Sequence, residues 1–561
     1  MRFFGFKGLE KFMKFLKHAV ILIISCFLCF IMCSCNTANE KPVDDSSGLS
    51  EDSSSEMSST SSEEISEEPD LFCGKITKAE VSADNKLING AHEFEIDNEN
   101  RTLTLTVDYE NYIDLKTLQN CIVDIEVEDG AVNSNRSIDM IAGASIAVTD
   151  KNGVTRDYAI ELERTVYELP IVNLYLADGA DVGSIDRDIY SDMAVYIDST
   201  GAEGFESTDI MLGGIHGRGH STWKWDKKPY RIKLNEKAEL LGLPKNKDWI
   251  LLSNYCDKSL IRNIVAYDMG RELGTFVWTP TQYAVDLFVN GEYQGVYALG
   301  EHREIAKSKI DLYEDPTDPD RGYLIEVGGA DGDGYVLGID KFHTNSKSAK
   351  HCTFVDPKPE DMTDEQRRFI IDYVNAADSA IVSGGNYEDY IDVDSFVDWI
   401  IMHELTCNLD SCFRRSCYFT KDKGGKLKMG PIWDFDLAFG NFVMDNSGYN
   451  TWFTQGSSSK DAYISTNWCN YLMNNERFRS RIRERWFEVR DRLLQTAEES
   501  IEKNTALVYR SQEENYKLWN TLGIKAGYES WAAANIDTYD GQVEYLRDFI
   551  KTRAEWIDEH I

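Results

Sequence analysis

At 561 residues, with 42% hydrophobic and 12% aromatic side chains, the chain is long enough for two or three packed domains. A formal net charge of −37 excludes a nucleic-acid binder, because phosphate backbones call for a basic surface. Twelve cysteines, four of them within the first 35 residues, are too few for a disulfide-built scaffold of this length.

Residues 1–35 read as an export signal. Arg2, Lys7, Lys11, Lys14 and Lys17 form a basic start, and the apolar run "AVILIISCFLCFIM" is too short for a comfortable membrane span. The small Ser34 just before Cys35 resembles the end of a bacterial lipoprotein signal. That resemblance implies lipidation of Cys35 and a membrane anchor on the extracellular face. An ordinary cleaved signal and an uncleaved anchor are the alternatives. Residues 36–70 are dominated by Ser, Glu and Asp and cannot bury enough apolar surface to offset chain entropy, so a disordered acidic tether is expected.

From 71 to 166 the text alternates apolar and polar residues in short runs, such as "RTLTLTVDY" and "RDYAIELER", separated by Asn, Asp and Gly turns. This spacing predicts a β-sandwich of immunoglobulin-like type, read as a spacer or a module touching wall or carbohydrate. From 167 to 561 strands, helices and long loops mix. A helix is expected to end at Leu273 before Gly274, and Asn290-Gly291 sits between alternating runs as a hairpin turn. From about 470 the helical spacing of apolar residues predicts helices that cap the preceding domain.

Chemistry is suggested first by "KMGPIWDFDLAFGN" (428–441), where Asp434 and Asp436 sit in an apolar run that reads as a buried strand. Buried carboxylates need a reason, either backbone donors or a cation. "GGIHGRGHSTWKWDKKPYRIKL" (213–234) reads as a glycine-rich turn feeding a strand, a shape that cradles phosphates with backbone N–H groups and with Arg218, Ser221 and Lys228. The next hairpin delivers Glu301, and a helix followed by the loop "CNLDSCFRRSC" brings Asp410. His403, Cys407, Cys412 and Cys417 have no close Cys pair, so their spacing does not support zinc.

Glycine turn, strand lysine, helix, hairpin, linker, helix, loop Asp and apolar-run Asp follow the order of a protein kinase's working parts, without its usual motifs. "GRGHSTW", "KKPYRIKL", "DWILLSNYCDKSLIRN", "VDLFVNGEYQGVYALGE", the Asp410 loop and "GPIWDFDLAFG" together resemble the CotH family of atypical kinases, known from bacterial spore coats. The resemblance implies a kinase-like domain with a helical C-terminal part, which after the β-sandwich read from strand spacing makes an α+β multidomain architecture. It implies MgATP, or MnATP, as the phosphoryl donor and an exported or surface protein as the acceptor. Lys228 and Arg218 would meet the phosphates, Asp410 would receive or orient the acceptor proton, and Asp434, with Asp436, would hold the metal. Where some members carry an Asn after the catalytic Asp as a second metal ligand, this chain has Arg414, Arg415 and Ser416, which leaves one metal or a weakened site. The competing readings are a non-catalytic surface adhesin or scaffold on the same fold, and a metal-dependent hydrolase using Asp434 and Asp436.

Overall fold

The alternating runs after residue 71 fold into strands Lys75–Val81 (β1), Glu95–Asp97 (β2), Thr102–Val107 (β3), Cys121–Glu128 (β4), Gly130–Val132 (β5), Ser137–Ile138 (β6), Ala144–Asp150 (β7) and Thr155–Arg164 (β8). They form a three-stranded sheet, β1-β4-β6, and a five-stranded one, β2-β3-β8-β7-β5. Side chains of both sheets, such as Val81 and Val123 from one and Leu103, Leu105, Val148 and Tyr158 from the other, share one buried core. The period-2 pattern is what turns these residues inward. A short helix, Leu115–Leu118, was not expected; the Asp114 side chain caps it by accepting from the Lys116 and Thr117 amides.

This computed structural model describes residues 72–561 except 86–91, 133–136, 329–335, 350, 351, 409, 410, 412, 414, 443–449, 453 and 455–466. The signal, Cys35, the acidic tether and Asp410 therefore lie outside the described residues. The described residues belong to one unit by their contacts.

A closed barrel follows, made of Ile171–Leu176 (β9), Ser191–Asp198 (β10), Met211–Gly217 (β11), Tyr230–Leu240 (β12), Leu243–Leu252 (β13), Gln282–Val289 (β14) and Glu292–Glu301 (β15). Its neighbours are antiparallel except β9 and β14, which run parallel and close it. Ile215, Ile232, Trp249, Leu251, Val285 and Leu299 help fill its interior. The expected hairpin turn is present: Asn290 at φ 51° and Gly291 at φ 83° give the left-handed pair that a two-residue β-turn needs.

The helix Arg262–Leu273 links β13 to β14 and stops at Gly274, in the left-handed region at φ 75°. Its start is fixed by Asp257, which is fully buried, accepts the Arg262 amide at 2.8 Å and pairs with the Arg262 guanidinium at 2.6 Å. A second sheet contains Tyr323–Val327 (β16), Lys341–Phe342 (β17), Cys352–Asp356 (β18), Cys417–Lys421 (β19) and Leu427–Met429 (β20), in the order β17-β18-β16-β19-β20. The helices Asp364–Ser383, Val393–Thr406, Glu476–Leu518 and Tyr539–His560 pack with it in the largest core, which Trp399, Phe419, Trp468 and Trp486 occupy. The C-terminal helices thus cover the domain before them, as their apolar spacing predicts.

One stretch departs from its pattern. β20 ends at Met429, and residues 430–439 are irregular, with Asp434 at φ 68° and Phe439 at φ 56°. Side chains take the place of a strand partner. Asn408 donates to the Asp434 carbonyl at 2.9 Å, and Asn263 accepts the Phe435 amide at 2.8 Å. The apolar run therefore buries Ile432, Trp433, Phe435 and Leu437 without forming a strand.

Candidate functional site

Barrel and second sheet converge on a cavity of ≈ 730 Å³. The end of β11 and the turn after it supply Gly217, Arg218 and Ser221, while β12 supplies Arg231. His302 and Arg303 come directly after β15, Glu326 from β16, and Arg415 and Ser416 directly before β19. Asp434 and Asp436 form part of the wall.

The glycine turn is shaped by contact and by dihedral angle. A Cβ on Gly217 would run into the Trp223 ring, and Gly219 sits at φ 83°, where a side chain is strained. Arg187, also at the rim, donates from Nε to the Gly219 carbonyl at 3.1 Å and steadies the turn.

Asp434 is anchored on several sides. Ser416 Oγ donates to its Oδ2 at 3.0 Å, and its amide donates to the Tyr267 hydroxyl at 3.3 Å. Facing it are guanidiniums. Burial draws Arg218 below its ordinary pKa, and the nearby Asp434 opposes that shift. Arg303 lies over the Tyr418 and Trp433 rings at 4.6 and 5.0 Å and is 3.8 Å from Glu326. Burial lowers its pKa, but Tyr418, Glu326 and Asp434 outweigh that and the net shift is upward. His302 is pushed well below its ordinary value by burial and then by Arg303, Arg231, Arg218 and Lys309, so its ring is neutral.

Several of these groups are unsatisfied. Arg218 and Arg415 make no ion pair among the described residues. His302 Nδ1 and Arg303 Nε are buried with no hydrogen-bond partner there. Buried polar atoms are rarely left so unless a ligand or water meets them. A cluster of guanidiniums in the cavity of an otherwise acidic protein suits a polyanion, and two carboxylates in the same wall suit a divalent cation beside that polyanion. The set therefore fits a nucleotide triphosphate with its metal. Among the described residues, no group of three or more His, Cys, Asp or Glu is placed to hold a metal by itself.

A family model described as CotH kinase protein matches residues 215–557, more than half of the chain. The chain belongs to the CotH kinase family. The matched span begins in β11 and takes in His216, Arg218, Arg303, Arg415, Asp434 and Asp436 of the cavity, while the N-terminal sheets lie outside it. No curated protein matches the chain. Among solved structures, a DUF4623 family protein from Bacteroides eggerthii is similar at 12% identity over 33% of this chain and 58% of that one. Its TM-score is 0.13, too low for the superposition to bear on fold or function.

Within this CotH-family chain, Arg218, Ser221, Asp434 and Asp436 of the expected residues come together. Lys228 does not line the cavity; its Nζ donates to the Trp223 carbonyl at 2.9 Å and lies 5.4 Å over that indole. The neighbouring Lys227 is buried, bonded to the Val296 carbonyl at 2.5 Å and Asn515 Oδ1 at 2.7 Å. Glu301 is buried outside the cavity wall, where burial, only partly countered by Lys309, pushes its carboxyl up to about 7. Glu272, in the last turn of the helix Arg262–Leu273, pairs with Arg492 at 2.8 Å. His403 belongs to the core, stacked on Trp399 at 3.7 Å, and burial pulls its pKa to about 3. Sequence reasoning missed Arg303, His302 and Glu326. The signal was there in "EHRE", directly after the hairpin strand, but a single arginine in a linker carries no pattern.

Proposed function

We propose that this protein is a surface-tethered atypical kinase that moves the γ-phosphoryl of ATP to a hydroxyl of an exported protein. The observation that carries this reading is that Arg218, Arg303 and Arg415 line one cavity together with Asp434 and Asp436. ATP supplies the phosphoryl group, and Mg²⁺ or Mn²⁺ supplies counter-charge to its phosphates. Arg218 and Arg303 bind and orient the phosphates, and Asp434 with Asp436 holds the divalent ion. Asp410 takes the acceptor hydroxyl proton as its oxygen bonds to phosphorus and the bond to the ADP oxygen breaks. The sheet-and-helix frame around the cavity serves as a kinase-like scaffold. The N-terminal sheets act as an immunoglobulin-like spacer reaching wall or carbohydrate.

Incubating the purified full chain with labelled ATP and Mg²⁺ or Mn²⁺ tests the reading. Label on the chain itself or on surface proteins is expected. Neither nucleotide binding nor transfer with either metal would leave the non-catalytic scaffold in its place. Location has its own test: with Cys35 lipidated, Cys35→Ala should move the protein out of the membrane fraction, and unchanged retention would point to an uncleaved anchor.

A further inference from the structure

One side of the cavity rim is aromatic. Trp225 and Tyr255 stand in the wall with near-parallel rings, 6.3 Å between centroids and 20° between planes. The Tyr528 ring meets Trp225 edge-on at 5.3 Å, and Trp519 meets Tyr255 edge-on at 6.4 Å. Tyr528 belongs to the loop after the helix Glu476–Leu518, which runs on to Trp531 at the start of a short helix, Trp531–Ala534. Large apolar side chains of this stretch face solvent: Ile524 is 49% exposed, Tyr528 42% and Trp531 62%. The loop is nevertheless held from beneath. Lys258 and Glu529 are both buried, 3.4 Å apart. Lys258 also donates to the Ile524 carbonyl, and the Glu529 carboxylate accepts the Ala526 and Gly527 amides. Ser530 donates its hydroxyl to the Gly440 carbonyl at 2.7 Å and its amide to the Asn441 carbonyl at 3.2 Å. Asn441 in turn donates from Nδ2 to the Asp436 carbonyl at 2.8 Å. The aromatic rim is thus fixed relative to the acid-bearing segment of the cavity.

Taking a Lys–Glu pair out of water costs free energy, and here the pair anchors a surface loop whose outward side chains are apolar. Tryptophan and tyrosine on a surface ordered in advance are the residues that most often anchor a polypeptide partner, because little freedom is lost when it docks. The Glu529 carboxylate and the Ser530 hydroxyl of the loop are turned inward. Its outer face therefore offers rings and methyl groups, which suit an apolar side chain better than a sugar, whose hydroxyls call for polar partners. We propose that Trp225, Tyr255, Tyr528 and Trp531 form the docking surface for the acceptor polypeptide and take an aromatic or large aliphatic side chain that flanks the acceptor hydroxyl. The surface is continuous with the cavity through Trp225 and Tyr255, so a segment seated on it leads its hydroxyl toward the phosphates. The inference rests on the phosphotransfer reading above and adds to it the class of acceptor.

The test separates docking from transfer. Short synthetic peptides, each with a central serine and a single varied flanking residue, are labelled with fluorescein and titrated with the full chain. The same peptides then serve as acceptors with labelled ATP and Mg²⁺. Peptides with Trp, Phe or Leu at a flanking position should bind, and should react about tenfold better in kcat/KM than those with Lys, Glu or Ser there. Combining Tyr528→Ser with Trp531→Ser should erase that preference by raising KM about tenfold, with kcat near the parent's. Trp531→Phe alone, which keeps a ring, should retain it. A non-hydrolysable ATP analogue with Mg²⁺ should bind the double variant as it binds the parent, and the melting temperature should hold, since both side chains face solvent. No peptide binding or no flanking preference in the parent overturns the inference and leaves phosphotransfer standing. So does a parental KM in the double variant, weakened analogue binding, or displacement of the peptide by a chito-oligosaccharide. Peptides that bind through the rim and are never labelled, on a chain that binds no nucleotide, overturn phosphotransfer and leave the docking surface to a scaffold.

Discussion

Two polar regions lie on opposite accounts of the same barrel, and they differ in how completely their groups are met. Around Asp286, on β14, every charge has an answer. The carboxylate is fully buried and accepts from Tyr293 at 2.7 Å, Ser511 at 2.7 Å and Tyr109 at 3.1 Å. Those donors come from the barrel, the long helix Glu476–Leu518 and the loop just after β3, so one acid ties three parts of the chain together. Lys227 is held close by through Val296 and Asn515. In the cavity, by contrast, Arg218 and Arg415 make no ion pair among the described residues, and buried nitrogens of His302 and Arg303 have no hydrogen-bond partner there. A closed network fixes geometry, whereas an open one is completed by something that binds. Charge alone does not mark a site; charge without a partner does.

The comparison breaks most sharply at Asp434. Asp434→Ala should cut phosphoryl transfer on the order of 10²–10³-fold or more, the scale of losing a preorganised electrostatic contact, and abolish Mg²⁺-dependent nucleotide binding. Its melting temperature should stay near the parent's, since among the described residues the half-buried side chain accepts a hydrogen bond from Ser416 alone. Transfer assays and thermal unfolding on one preparation check both halves. An unfolded variant would return Asp434 to a structural role.

Asp286→Ala should do the reverse. Three hydroxyls lose their acceptor inside the protein, at a cost of about 3–5 kcal/mol in denaturant unfolding. Nucleotide affinity of the folded fraction should be unchanged. Loss of affinity without loss of stability would mean that the junction belongs to the site.

The same residue carries a pH signature. Burial, only partly offset by Ser511, Tyr293 and Tyr109, raises the Asp286 carboxyl to about 6. The folded chain thus holds that proton more tightly than the unfolded chain, whose value is 3.8. Stability from this group is greatest at low pH, falls as pH rises from about 4 to about 6, and is level above. The change is on the order of 2–3 kcal/mol. Asp286→Asn should remove that fall, which parallel unfolding curves across the window will show. An unchanged slope would place the titration elsewhere.

Much of this was legible in the text. The period-2 runs gave the N-terminal strands, Asn290-Gly291 its hairpin, Gly274 its helix end, and the Gly-Arg-Gly turn and Asp434 their common cavity. These features depend on local dihedral preference or on a motif of several residues. What was not legible depends on which neighbour a side chain meets. Residues 430–439 read as a strand because their apolar spacing is right, yet Asn263 and Asn408 from distant segments take up the backbone groups. Closure of the barrel through the parallel β9–β14 pair joins residues more than 100 positions apart, and no local pattern reports it.

The smallest expected effect separates neighbours within "KKPYR". Arg231 lies within β12, whereas Lys227 and Lys228 precede the strand, so its alternation does not set their direction. Arg231 reaches the cavity, held by Asp248 at 2.6 Å. Lys227 is drawn the other way into the closed network beneath Tyr297, and Lys228 rests on Trp223. Lys228→Ala should therefore change nucleotide affinity by less than about threefold, under 1 kcal/mol, as for other half-exposed contacts made outside a binding site. Arg218→Ala, which removes a cavity charge that makes no ion pair among the described residues, should weaken it about tenfold or more. Calorimetric titration of the two variants with the same analogue and metal decides the matter. If Lys228→Ala proves the more damaging, its side chain must leave the Trp223 carbonyl when nucleotide binds, and the strand lysine regains the phosphate role that the sequence pattern suggests.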